Sequence, residues 1–117
     1  MNNNLIKIII AGDFCPKNKI ANELSKINEN SIFSNELKQV FIQSDLSIVN
    51  LECPVTNETK GIVKEGTLLK ADTNAINLLN ELNINLVTLA NNHIRDYGNK
   101  GVEDTINICK NNNIDTI

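Results

Sequence analysis

Three runs of aliphatic and β-branched residues, at 5–11, 46–51 and 86–90, alternate with stretches whose apolar residues recur at helical spacing. A chain that switches repeatedly between these two patterns is built for an α/β fold, with right-handed crossovers joining parallel strands. The first run is nearly continuous in apolar residues, as expected of a parallel strand covered on both faces. The first helix is expected after Pro16, with Ile20, Leu24 and Ile27 on one face. The second begins at Ser34, a good N-cap, with Glu36 in its first turn and Leu37, Val40 and Phe41 on one face.

Asp72 or Thr73 caps a third helix with Ile76, Leu79 and Leu82 inward; Asn83 or Asn85 ends it, since asparagine tolerates the left-handed conformation. A fourth follows Gly101, with Val102, Ile106 and Cys109 inward, and stops at Asn111–Asn113. Residues 114–117 read as the opening of another strand, so the 117 residues are expected to be the N-terminal portion of a single larger domain, cut at its C-terminal end. Between the second run and the third helix, residues 53–66 carry Pro54, Gly61 and Gly66 among polar residues and read as a surface loop, long enough to suggest a functional one.

Each strand-like run ends on chemistry. The first closes on Gly12-Asp13, the second on Asn50-Leu51-Glu52, and the third on Ala90-Asn91-Asn92-His93-Ile94-Arg95-Asp96-Tyr97-Gly98, which contains the lone histidine. In open parallel sheets ligands collect at the carboxyl ends of the strands, so Asp13, Glu52 and the Asn92-His93 pair are expected on one rim. Carboxylates suit hard divalent cations, and ions such as Mn²⁺, Fe²⁺ or Zn²⁺ also accept imidazole. Glu52, on the middle run, is placed to bridge two ions; Asn92 can offer its amide oxygen, and His93 can exchange a proton near neutral pH. Asp96 either orients that imidazole or caps a helix.

Duller roles compete at several positions. Asp13 alone can cap a turn, and Asn91 can serve only to hold the turn backbone. Arg95 and Lys70 are either anion-binding groups or ordinary surface cations. Cys15 and Cys53 flank site residues and are either soft ligands or small buried hydrophobes, whereas Cys109 belongs to a core-facing helix position. Three cysteines without C-x-x-C spacing suit a reducing compartment. A net charge of −3 with scattered basic residues gives no reason to expect nucleic acid. No stretch approaches a membrane span or a secretory leader, so the sequence as written reads as cytoplasmic; envelope association would require a leader or anchor outside it.

Taken together, Gly12-Asp13, Asn50-Leu51-Glu52, Lys70-Ala71-Asp72 and Ala90-Asn91-Asn92-His93 with Asp96-x-Gly98 resemble the CapA family of bacterial capsule and poly-γ-glutamate biosynthesis proteins, related in fold to calcineurin-like metallophosphoesterases. The resemblance runs from about residue 5 to 117. It implies the N-terminal part of an αββα sandwich with largely parallel strands, holding two divalent metal ions (Mn, Fe or Zn). Asp13, Glu52 and Asn92 would be ligands and His93 the catalytic group, with Asp96, Lys70 and Arg95 in support and further ligands beyond residue 117. It also implies hydrolysis of a small phosphoester or action on an anionic capsular polymer, the alternative being a non-catalytic protein that binds polyglutamate or an envelope glycan. One departure is visible: the phosphoesterases usually carry Asp or His two residues beyond the first aspartate, where this chain has Cys15.

Overall fold

In a computed structural model that describes residues 5–17, 20 and 31–117, the chain forms a four-stranded, all-parallel sheet with three helices. The strands β1 (Ile8–Phe14), β2 (Leu46–Leu51), β3 (Leu86–Thr88) and β4 (Asp115–Thr116) lie side by side in sequence order. Helix α1 (Asn35–Ile42) precedes β2. A 3₁₀ turn (Thr73–Ala75) leads into α2 (Ile76–Glu81), which precedes β3, and α3 (Gly98–Asn111) precedes β4. The α/β expectation therefore holds, and the arrangement matches part of a layered α/β sandwich. The helix expected after Pro16 falls on residues outside those described, apart from Ile20.

Right-handed crossovers between neighbouring strands in sequential order place α1, α2 and α3 on the same face of the sheet. The packing agrees. Phe41 of α1, Ile76 and Leu79 of α2 and Cys109 of α3 join one buried cluster with Val49 and Leu51 of β2 and Val87 of β3. Alternation along β2 sends Ser47, Val49 and Leu51 to that face, while Leu46, Ile48 and Asn50 turn to the other and are only half-buried. On β1 the expectation of cover on both faces fails, because Ile8 and Ile10 are 53% and 76% exposed. Both share the face opposite α1–α3, and β1 is an edge of the sheet among the described residues.

The helix faces also differ in part from the periodic reading. Ser34 caps α1 as expected, its hydroxyl accepting from the Leu37 amide at 3.2 Å. Of the three apolar residues expected inward there, only Phe41 is buried, and Leu37 and Val40 remain exposed. Helix α3 starts four residues earlier than expected, at Gly98, and buries Gly101, Thr105 and Cys109, with Ile106 exposed. Small residues win this face because α3 lies against the chain at Pro54 and Val55: the Thr105 hydroxyl accepts from the Val55 amide at 2.9 Å and donates to the Gly101 carbonyl at 2.7 Å. Helix α2 follows the reading, with Asp72 capping the 3₁₀ turn and Ile76, Leu79 and Leu82 inward. Among the described residues no helix is long and apolar enough to cross a membrane.

Two crossovers end in the same way. After α2, Asn83 takes φ +52°, its amide donates to Asn80 O, and the Ile84 amide reaches back to Leu79 O at 2.9 Å. After α3, Asn113 takes φ +57°, its amide donates to Lys110 O, and the Ile114 amide reaches Cys109 O at 3.0 Å. Each is a Schellman stop with asparagine in place of glycine, and the following isoleucine is buried at the entrance to the next strand. We expect Asn83→Ala or Asn113→Ala to cost about 1 kcal/mol each, the penalty for a Cβ-bearing residue without asparagine's local bonding in the left-handed region, with Asn→Gly neutral or stabilising. Equilibrium urea unfolding checks this; wild-type midpoints for both alanine variants would contradict it.

Candidate functional site

The pairing of β1 with β2 contains one extra residue. Ile10 pairs with Ile48, yet the next register partners are Asp13 and Asn50, so three steps on β1 match two on β2. Strict alternation from Ile10 would turn the Asp13 side chain toward the helices. The bulge reverses that parity and puts Asp13 with Asn50 on the face opposite α1–α3, which is how bulges re-aim side chains beside functional sites. Asn50 in turn pairs with Thr88 of β3. Asp13, Asn50 and Thr88 therefore stand in one row across three adjacent strands, near their carboxyl ends.

Asn50 is the centre of that row. Its Nδ2 donates to Asp13 Oδ1 at 2.7 Å and also to Glu52 Oε2, bringing two carboxylates within reach of one amide nitrogen. Its Oδ1 accepts from the Thr88 hydroxyl at 3.0 Å and from Asn91 Nδ2 at 3.2 Å. Each carboxylate keeps one oxygen with no hydrogen bond among the described residues. Asp13 is exposed and Glu52 half-buried, so those oxygens are open to a ligand.

Asn91 links the row to the turn that follows β3. Its Nδ2 also donates to Leu51 O at 2.8 Å, while its Oδ1 accepts from the amides of His93 (3.1 Å) and Ile94 (2.9 Å). The whole carboxamide is thus used in fastening the histidine turn to β2. Gly98, with φ +64°, lets that turn pass directly into α3. Asn92 points into solvent and makes no hydrogen bond with the carboxylate pair among the described residues.

His93 belongs to a second group. Its Nδ1 lies 2.7 Å from Asp96 Oδ2, and Asp96 is fully buried. The other partners of that carboxylate are donors: Lys64 Nζ at 2.5 Å on Oδ1, and the Leu69 amide at 2.7 Å on Oδ2. Burial raises the Asp96 carboxyl, but the bonds from Lys64, His93 and Leu69 outweigh it and hold the group below the usual carboxylate range. An ionised carboxylate only accepts, so the ring proton sits on Nδ1 and Nε2 is the nitrogen left to exchange a proton. Of the two roles open to Asp96, orienting the imidazole is the one seen; α3 has no side-chain cap bond at its N-terminus.

The remaining candidates lie apart from these groups. Lys70 donates to Glu58 O at 2.6 Å and stands 4.9 Å from the Tyr97 ring centroid, so it braces the loop. Arg95 is exposed and donates to Asn99 Oδ1 at 2.8 Å. All three cysteines are free; Cys53 and Cys109 are fully buried, as small hydrophobes are. Burial, with Cys15 alongside, pushes the Cys53 thiol up, and burial alone raises Cys109 to about 11. Neither is poised as a thiolate.

Sequence reading quoted Asn50 within Asn50-Leu51-Glu52 without giving it a role, and gave none to Thr88 or Lys64. Asn50 had a signal, because it sits two residues before Glu52 and so shares its face of the strand. Thr88 and Lys64 had none, since their roles depend on strand register and on the path of a loop.

In kind, two carboxylates suit a divalent cation. In number, they fall short of the four to eight donors such ions take, and no cluster of three His, Cys, Asp or Glu side chains occurs among the described residues. Asp13 and Glu52 can therefore supply part of a coordination shell.

Asp96 gives a direct prediction. Asp96→Asn should lower stability by about 3 kcal/mol at pH 7, because Lys64 is left without its partner beside a buried site. Since the native carboxyl lies below its unfolded value near 4, its contribution is present above that value and fades as pH falls through the lower native one. Hydrogen exchange of residues 61–69 should accelerate in that acid window; an acid-insensitive profile would contradict the assignment.

Residues 7–117 match the family described as bacterial capsule synthesis protein PGA_cap. Over 82 residues, 69% of its length, the chain is 28% identical to the PGA biosynthesis protein CapA of Bacillus subtilis (strain 168). It covers 22% of that relative's length.

Proposed function

Because the chain belongs to the bacterial capsule synthesis protein family, we propose that it serves capsule or poly-γ-glutamate synthesis through a metal-dependent hydrolytic site at the carboxyl ends of β1, β2 and β3. The observation that carries this reading is the carboxylate pair of Asp13 and Glu52, joined by Asn50 and fastened through Asn91 to a histidine whose Nδ1 is held by a buried aspartate. Such a rim combines cation ligands with a proton carrier, which ester hydrolysis near neutral pH requires.

In this reading Asp13, Glu52 and Asn92 hold one or two divalent ions (Mn, Fe or Zn) together with donors from outside these residues. Bound ions would activate water and offset charge on a phosphoryl or similar group. His93 acts through Nε2 as acid or base, and Asp96 fixes the ring so that this nitrogen alone is available. Asn50 keeps the two carboxylates adjacent although both are negative. The substrate class is a small phosphoester or an anionic capsular polymer, with Arg95 the exposed cation nearest the histidine turn.

The test is hydrolysis of an aryl phosphate by the full-length protein with Mn²⁺. Glu52→Gln and His93→Ala should each lower kcat by at least about 100-fold, within the usual range for losing an acid–base group or a metal ligand. Polymer binding that survives chelation, with no turnover in any divalent metal, would instead make the protein a non-catalytic binder.

A further inference from the structure

The segment between β2 and the 3₁₀ turn is a closed loop. A parallel bridge between Val55 and Ala71 ties its neck, with Thr56 N donating to Ala71 O at 3.1 Å and Ala71 N to Pro54 O at 2.9 Å. Its far part, residues 61–69, is held to the histidine turn at three points, and all three are on Asp96. The Ile62 amide donates to the Asp96 carbonyl at 2.9 Å, the Leu69 amide to Oδ2 at 2.7 Å, and Lys64 Nζ to Oδ1 at 2.5 Å. The approach is close: a Cβ on Gly61 would lie 2.3 Å from a Leu68 methyl and 3.4 Å from the Asp96 carbonyl.

The same Asp96 carboxylate holds His93 Nδ1, and Lys64 Nζ lies 3.4 Å from that nitrogen. One fully buried carboxylate thus fixes two things, the path of the loop and the orientation of the imidazole. The Leu69 backbone amide brings no net charge to offset a buried negative one, whereas the Lys64 ammonium does. Lys64 is half-buried, so its charge is partly shielded from water and correspondingly effective. Beyond it the loop presents Val63, wholly exposed, together with Lys60 and Glu65 on the same stretch.

We propose that Lys64 is a positioning residue: residues 61–69 form a strap buckled onto Asp96 by Lys64, and the strap must be seated for His93 to hold its working orientation. The inference rests on the catalytic reading above for the word "working", but the buckle itself is independent of it. A substrate that displaced or tightened the strap through Val63 would act on His93 through Lys64 and Asp96, without touching the ring.

The experiment compares Lys64→Met, Lys64→Gln, Lys64→Arg and the neighbouring Lys60→Met in the full-length protein. Three readouts are taken: kcat and KM for aryl phosphate with Mn²⁺, hydrogen exchange over residues 61–70, and the Nδ1 proton and ¹⁵N signals of His93, assigned by their loss in His93→Gln. Lys64→Met and Lys64→Gln should release exchange protection at Leu69, broaden or shift the Nδ1 proton, and lower kcat about 10- to 100-fold with KM changed far less, as expected for a misplaced reacting group. Lys64→Arg should restore most of each, and Lys60→Met should behave as wild type.

Wild-type exchange and an unchanged Nδ1 proton in Lys64→Gln would overturn the proposal, and if Lys64→Met does not fold, Lys64→Gln decides alone. A protein that hydrolyses nothing in any metal would defeat the catalytic reading, while exchange and the imidazole signals would still show whether the strap is buckled.

Discussion

Every functional feature of this chain depends on its strands running in the same direction. In a parallel sheet the carboxyl ends share one rim, so residues separated by nearly the whole chain become neighbours without any long-range docking of helices. Asp13, Glu52 and the start of the turn that carries His93 reach one rim by strand polarity, and the pairing of β1 with β2 and of β2 with β3 sets the row of Asp13, Asn50 and Thr88. The sequential strand order adds a second consequence. With the helices gathered on one face, the other face carries both the apolar row through Ile10 and Ile48 and the polar row through Asp13, Asn50 and Thr88.

Carboxamides do much of the joining. Asn50 separates two like charges by donating to both, and Asn91 spans strand and turn with three backbone contacts. An amide suits these places because it donates and accepts from one rigid plane and carries no charge that would compete with a cation. Asp96 does the opposite work. It is charged, buried and surrounded by donors, and the long loop is held in place by it.

Local periodicity made the element order legible, and the polar strand ends revealed the family, because both are written in short stretches. Asn83 in its left-handed stop and Ser34 in its cap were readable for the same reason. What was not readable depends on partners distant in sequence. The inward face of α3 is chosen by Pro54 and Val55, which admit Gly101 and Thr105 where periodicity favours Val102 and Ile106. The exposure of β1 follows from its edge position, which its composition does not encode. Lys64 resembled any loop lysine until the loop was seen to fold back over Asp96.

The bulge in β1 gives the length of that strand a chemical meaning. Side chains alternate along a strand, so two steps from Ile10 would already reach the face that Asp13 shares with Asn50; β1 takes three, and the bulge absorbs the extra residue. A one-codon deletion there would remove the bulge yet leave the carboxylate opposite Asn50, on the same face and in an unbroken ladder. The extra residue therefore changes the local bend and twist at Asp13 rather than the face its carboxylate occupies.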